Sequence, residues 1–190
     1  MNRAADVALA GLGLVLTSPL LAAAAVAIKL EDGGPVLYRQ RRVGKDGREF
    51  DLLKLRTMVQ GSDPVGIGTP IEEGDPHITR IGAPLRRFSL DELPNLVNVL
   101  RGEMAIVGPR PTIPAQVAEY SERQRRRLDV KPGLTGWAQI NGRTSLEWTD
   151  RIELDVWYVE HRSLALDLRI LARTAGLLLS GRGLYTGDKR

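Results

Sequence analysis

Twenty-two consecutive residues, Val7–Ile28, lie between Asp6 and Lys29 without a charge. A helix rises about 1.5 Å per residue, so the run makes about 33 Å of helix, nominally enough to cross a bilayer. Ser18-Pro19 interrupts it near the middle. Proline has no N–H for the carbonyl of Val15, and a proline inside a helix costs ~3 kcal/mol. Three arrangements compete. A bent spanning helix is the ordinary one. The interruption leaves two arms of about ten residues, each about half a bilayer deep, which suits a re-entrant helix that dips into one leaflet and returns. A secretory leader comes third, on Arg3, the apolar centre and the Ala-x-Ala spacing within Ala22–Ala25. Arg39, Arg41, Arg42, Lys45 and Arg48 assign the C-terminal side to the cytoplasm, and Arg3 favours the same side for the start. The expectation is a re-entrant membrane helix over residues 1–30 with its break at Ser18 and Pro19. It is continuous with a cytoplasmic catalytic domain over residues 31–190.

The remaining chain is long enough for one domain with a sizeable core. No cysteine is present, which excludes disulfides, thiolate catalysis and thiolate metal sites. Two histidines are too few for a histidine-rich centre, so a hard, oxygen-bound cation is the metal that suits this composition. Net charge is +4, which points to anionic partners such as phosphates, a phospholipid surface or nucleic acid.

The stretch Phe88–Pro111 carries two adjacent carboxylates, Asp91 and Glu92. Leu93, Leu96, Val97 and Leu100 fall on one helical face, and Pro94 belongs in a first turn. These set a helix start near Asp91 and argue against a Ser89–Glu92 capping box. Gly102 ends the helix, Met104–Val107 reads as a strand, and Arg110 is locked between two prolines. Acidic residues at a helix start most often cap free N–H groups and complement the dipole. Here Arg86, Arg87 and Arg110 flank them, which turns the pair into a candidate phosphate-handling site.

Elsewhere, Lys45-Asp46-Gly47 joins two alternating segments, a β-hairpin signal. Its second strand presents Lys54 and Arg56 two residues apart, on one side. Residues 60–82 read as a long loop, and Ala115–Asp129 as a polar helix with a basic end. In Lys131–Arg143 three glycines, Gly133, Gly136 and Gly142, permit close backbone approach to a ligand, with Gln139 and Arg143 presenting polar ends. Trp148–Tyr158 reads as a helix carrying Asp155. Leu164–Leu179, interrupted by Asp167, Arg169 and Arg173, reads as a core or membrane-surface helix. The fold class is α+β: a mostly helical single domain with short strands and a hairpin, behind the N-terminal re-entrant helix.

Several motifs occur in order: the apolar start broken at Ser18-Pro19, Gly34-Pro35-Val36-Leu37-Tyr38-Arg39-Gln40, Lys54-Leu55-Arg56-Thr57-Met58, Asp91-Glu92-Leu93-Pro94, Gly108-Pro109-Arg110-Pro111, Lys131-Pro132-Gly133-Leu134-Thr135-Gly136-Trp137-Ala138-Gln139 and Asp155-Val156-Trp157-Tyr158. Together they resemble the bacterial sugar transferases, the monotopic phosphoglycosyl transferases, over essentially the whole chain. They match the catalytic core without the membrane helices that larger members carry ahead of it. Asn95 stands where Gln is common in the family, and Leu55 and Thr57 where Phe and Ser are common.

The resemblance implies transfer of a phosphosugar from a UDP-sugar to polyprenol (undecaprenyl) phosphate, with release of UMP, at the inner leaflet of a bacterial cytoplasmic membrane. It implies Asp91 as the nucleophile that takes the phosphosugar, and Glu92 as the ligand of Mg²⁺. Lys54, Arg56, Arg86, Arg87, Arg110, Gln139, Arg143 and Asp155 are the candidate substrate-binding residues. No nucleic-acid partner is expected, and a homodimer is left open. Independent chemistry agrees: phosphoryl transfer asks for positioning and charge neutralisation, and a carboxylate divides one exchange into two displacements. The competing reading is a membrane-anchored basic module that binds nucleic acid or phosphate without catalysis, which leaves the paired carboxylates unexplained.

Overall fold

The computed structural model describes residues 1–62, 75–142 and 146–180. Its longest element is helix α1, Arg3–Asp32, begun by Asn2, whose side chain accepts from the Ala5 N–H, and ended by Gly33 in the left-handed region. Among the described residues it is the one helix long and apolar enough to cross a membrane. The helix is continuous through Ser18-Pro19. The reason is local: Ser18 Oγ donates to the Val15 carbonyl at 2.8 Å, the acceptor that Pro19 leaves without its usual N–H. One side of the middle of α1 is open, with Val15 and Leu16 each 70% exposed, while Leu14 packs on the core.

Both ends of α1 are tied to the rest of the chain. Near its start, Arg3 donates to the carbonyls of Val99 and Leu100, and the buried Asp6 accepts from the Ile106 N–H at 3.0 Å. Near its end, Ala24 and Ile28 pack with Leu55 and Leu85, Glu31 accepts from the Arg80 N–H at 2.7 Å, and Asp32 pairs with Arg56.

Strands β1 (Leu37–Val43) and β2 (Glu49–Leu55) form the antiparallel hairpin, with Leu37 opposite Leu55 and Val43 opposite Glu49. The turn works because Asp46 and Gly47 both take positive φ, 57° and 74°. A second sheet pairs β3 (Ala105–Val107) with β4 (Gly133–Thr135) in parallel. The helices are α2 (Gly82–Arg87), α3 (Asn95–Arg101), α4 (Pro114–Ala118), α5 (Glu122–Arg125), α6 (Trp137–Ile140), α7 (Trp148–His161) and α8 (Leu164–Ser180). The main core draws Phe50 and Leu52 from β2, Leu96 and Val99 from α3, Ile106 from β3 and Ile170 from α8 around Ala10 of α1. The α+β class is as expected from the sequence.

Three local readings change. The carboxylates do not open a helix: Leu90–Glu92 is a separate 3-10 turn, Pro94 caps α3, and the α-helix proper starts at Asn95. The segment expected as one helix over Ala115–Asp129 is broken into α4, α5 and a 3-10 turn, because Ser121 and Gln124 form a capping box that starts α5 afresh. Gly133 and Gly136 serve the protein's own backbone: a Cβ at Gly133 would lie 2.0 Å from the Gly108 nitrogen, and one at Gly136 2.1 Å from the Gly108 oxygen. Of the expected 60–82 loop, residues 63–74 lie outside the described part.

Candidate active site

The site begins with a bend. Ser89, at φ 54° and ψ 24°, is one of two described non-glycine residues in the left-handed region, and it breaks α2 from the 3-10 turn. That bend carries Asp91 inward, to 8% exposure, with Glu92 half-buried beside it. Across from the turn, the polar side chain of Asn98 occupies the free edge of β2. Its Oδ1 accepts from the Leu53 N–H at 3.1 Å and its Nδ2 donates to the Asp51 carbonyl at 2.8 Å. So α3 is hydrogen-bonded to β2 as a neighbouring strand would be, and Lys54 is brought opposite the carboxylates.

Glu92 is the centre of charge. Lys54 Nζ donates to its Oε1 at 2.8 Å, and Arg110 Nη2 donates to the same oxygen at 2.7 Å. Burial pushes Glu92 up, but Arg110 and Lys54 together outweigh it and hold the carboxyl well below the usual range. Asp91 goes the other way. Burial raises it against the pull of Lys54, and no side-chain hydrogen bond among the described residues offsets that rise. Two neighbours of nearly the same chemistry therefore hold different states: Glu92 a fixed, paired anion, Asp91 a more basic carboxylate free of such contacts.

A shallow pocket opens beside Glu92, lined by Arg42, Asn95, Met104, Arg110 and Gly133 among others. Arg42 donates to the Pro111 carbonyl and to Gln40. Its guanidinium is pushed down to about 10, by burial first and by the Arg110 charge second. Two guanidiniums that repel one another at one pocket make a site for an anion with several oxygens.

The expected site residues divide. Lys54 and Arg110 meet on Glu92; Arg86 lowers Asp91 through its field and donates to Thr57 Oγ1 at 3.4 Å. Arg56 does not meet the partner of Lys54. It is 7% exposed, and its guanidinium is committed to Asp32 and the Pro35 carbonyl, so it ties down the end of α1. Arg87 is exposed and lies over the Phe88 ring, 5.8 Å from its centroid. Gln139 is buried in α6, with neither end of its amide hydrogen-bonded among the described residues. Asp155 is 2% exposed and paired with Arg127. Arg143 lies outside the described residues. Sequence reasoning passed over Arg42, Asn98 and Arg127. For Arg42 a signal exists: it shares the half-buried side of β1 with Tyr38 and Gln40, four and two residues before it.

Residues 1–181 match the family model of the bacterial sugar transferases. The chain belongs to that family. It is 42% identical to a sugar transferase of Bacillus subtilis, EpsL, across 97% of this chain and 90% of that protein. A UDP-glucose:undecaprenyl-phosphate glucose-1-phosphate transferase of Caulobacter vibrioides is 44% identical across 97% of this chain and 72% of its own length. The protein of the same name from Escherichia coli is also 44% identical, across 92% of this chain but only 39% of its own length. Membership explains why the Asp91–Glu92 turn, the Arg110 turn and the apolar α1 occur in one chain.

Proposed function

We propose that this sugar transferase moves a phosphosugar from a UDP-sugar to a polyprenol phosphate at the cytoplasmic face of a membrane and releases UMP, the first membrane step in building a bacterial glycan. The observation that carries the reading is Glu92, held by two cations on one oxygen, beside an Asp91 carboxylate that neither of them hydrogen-bonds. The names of the Caulobacter and Escherichia relatives supply the substrate classes.

In this reading Asp91 is the nucleophile. One carboxylate oxygen bonds to the phosphorus that carries the sugar, the bond from that phosphorus to the bridging oxygen breaks, and UMP leaves with the electron pair. A phosphate oxygen of the polyprenol phosphate then attacks the same phosphorus, and the acyl-phosphate bond breaks to return the Asp91 carboxylate. Burial favours this role, because a poorly solvated carboxylate is the more basic one. Lys54, Arg110 and Arg42 receive the charge of the diphosphate.

Mg²⁺ is part of the proposal, supported by Glu92 Oε2, the oxygen of that carboxylate on which neither Lys54 nor Arg110 sits. No group of three acidic or histidine side chains that could cage a metal occurs among the described residues. Mg²⁺ instead uses one or two carboxylates together with phosphate oxygens. Glu92 would hold it, with Asp91 adjacent, and the ion would supply charge neutralisation at the diphosphate.

A re-entrant α1 follows from the same reading. Its two ends are bonded to one globular body and its exposed middle is apolar, so dipping into one leaflet keeps both ends on the cytoplasmic side.

The test is incubation with UDP-sugar and Mg²⁺ but no acceptor, followed by intact mass measurement and peptide mapping. A phosphosugar on Asp91 with release of up to one equivalent of UMP is expected. An adduct mapped to Glu92, or steady turnover by Asp91→Asn, overturns the assignment.

A further inference from the structure

Behind the Arg110 turn lies a group of polar side chains, none of which lines the pocket itself. Arg127 is 4% exposed, Asp155 2%, Tyr120 6% and Thr112 5%. Arg127 is the hub. One amino group donates to the Tyr120 hydroxyl, and the other donates both to Asp155 Oδ2 and to the backbone carbonyl of Arg110, the latter at 2.9 Å. The Tyr120 hydroxyl then donates to Thr112 Oγ1 at 3.0 Å, and the Thr112 carbonyl accepts from the Val43 N–H at 2.8 Å. Arg110 and Thr112 flank Pro111, so this one guanidinium holds the turn on both sides. The same turn sends the Arg110 side chain to Glu92.

We infer that Arg127 is the positioning residue of the transfer reaction, fixing the backbone of Arg110 so that its guanidinium is aligned on Glu92 and the donor diphosphate. The inference rests on the reading of Arg110 as part of the substrate site. Its physical warrant is the arrangement of donors. A buried Arg–carboxylate pair is weak evidence for stability alone, since a well-packed apolar pair often does as well. What an apolar replacement cannot supply is a donor to the Arg110 carbonyl together with a tether to Thr112. Tyr120, Asp155 and Trp148, whose ring lies 5.9 Å from the guanidinium, hold Arg127 in place. Lysine retains the charge but has no planar fork, so it cannot serve Tyr120, Asp155 and the Arg110 carbonyl in the same geometry.

A double-mutant cycle decides it, with the full chain in detergent micelles, undecaprenyl phosphate, and the UDP-sugar the wild type turns over fastest. Arg127→Lys should lower kcat about tenfold while donor KM changes less than about twofold, because the attracting charge of Arg110 stays near the diphosphate and only its alignment is lost. In an Arg110→Ala background the same substitution should change kcat by less than about twofold, since nothing remains to be aligned. Full additivity of the two losses overturns the inference and leaves Arg127 a structural residue. Wild-type turnover by Arg110→Ala is a different failure: it removes Arg110 from the site. Should Arg127→Lys not fold, Tyr120→Phe keeps the question open to measurement. It removes the tether to Thr112 and one acceptor of Arg127 but leaves the bonds to Asp155 and the Arg110 carbonyl, and should lower kcat by about threefold, again only when Arg110 is present. An equal loss in both backgrounds counts against the inference.

Discussion

Two carboxylate–arginine sets sit on opposite sides of the Gly108–Pro111 turn, and burial treats them differently. At the pocket, Glu92 shares one oxygen between Lys54 and Arg110 and is held far below the usual carboxylate range. Behind the turn, Asp155 has Arg127 on one oxygen, while its other oxygen is buried without a hydrogen bond among the described residues. Burial there outweighs Arg127 and pushes Asp155 up to about 6. Burial opposes ionisation in both; the number of cations on the carboxylate decides the outcome. Surplus cation at Glu92 faces a pocket and is available to an anion. The single cation at Asp155 is used up in holding backbone.

The comparison breaks most visibly at Asp91. Replacing it by Asn removes the carboxylate beside Glu92 that neither Lys54 nor Arg110 hydrogen-bonds and should lower UMP release by at least about 10³-fold. Folding should be unaffected, as judged by unfolding temperature. Next comes Lys54→Met, which leaves Glu92 a single cation, as Asp155 has. Turnover should fall about 10²-fold, and Glu92 should rise towards ordinary carboxylate values. Since the paired anion is the competent form, the acidic limb of the rate profile should then move to higher pH, measured as kcat/KM against pH.

Arg42→Leu removes one of the two guanidiniums at the pocket and should reduce kcat/KM for the UDP-sugar by about tenfold. Arg56→Lys is the control that sharpens it. It breaks the two-pronged pairing with Asp32 at the end of α1, so its loss should appear in thermal unfolding, with turnover per folded molecule within about twofold of wild type.

The smallest effect concerns Asp155, which faces Arg110, Arg127 and Arg151. Its folded value lies above the unfolded one, so the folded state binds the extra proton between them. Its contribution to stability is therefore present at low pH and lost as pH rises from about 4 to about 6. Relative to Asp155→Asn, wild-type stability should decline across that window by on the order of 1 kcal/mol per pH unit. Denaturant unfolding in micelles at several pH values measures it; a difference that grows with pH would reverse the reading.

How far the sequence alone reached varied with the range of the interaction involved. The hairpin was legible because Asp46-Gly47 sets a turn whose geometry is local. So was the C-terminal end of α3, where Gly102 takes φ 84°. The start of α3 was misplaced by a few residues, since no pattern announces that Leu90–Glu92 closes as a 3-10 turn of its own, begun at the left-handed Ser89, before Pro94 caps the α-helix. Arg56 and Asp155 were assigned to the substrate by their company along the chain. Asp32 and Arg127, the groups they meet, lie 24 and 28 residues away, and residue spacing carries no information about such contacts.

By itself, then, the sequence determined the long apolar helix with its proline, the hairpin, the paired carboxylates and the excess of arginine. Each of these follows from periodicity, turn chemistry or composition, which act over a few residues. Only the tertiary structure decided which arginine serves which carboxylate. Lys54 reaches Glu92 because Asn98 hydrogen-bonds α3 to the edge of β2, and Arg56 turns to Asp32 because the end of α1 packs beside it. A flexible charged side chain takes whichever partner the packed backbone brings within about 3 Å, and along the chain all of these arginines look alike.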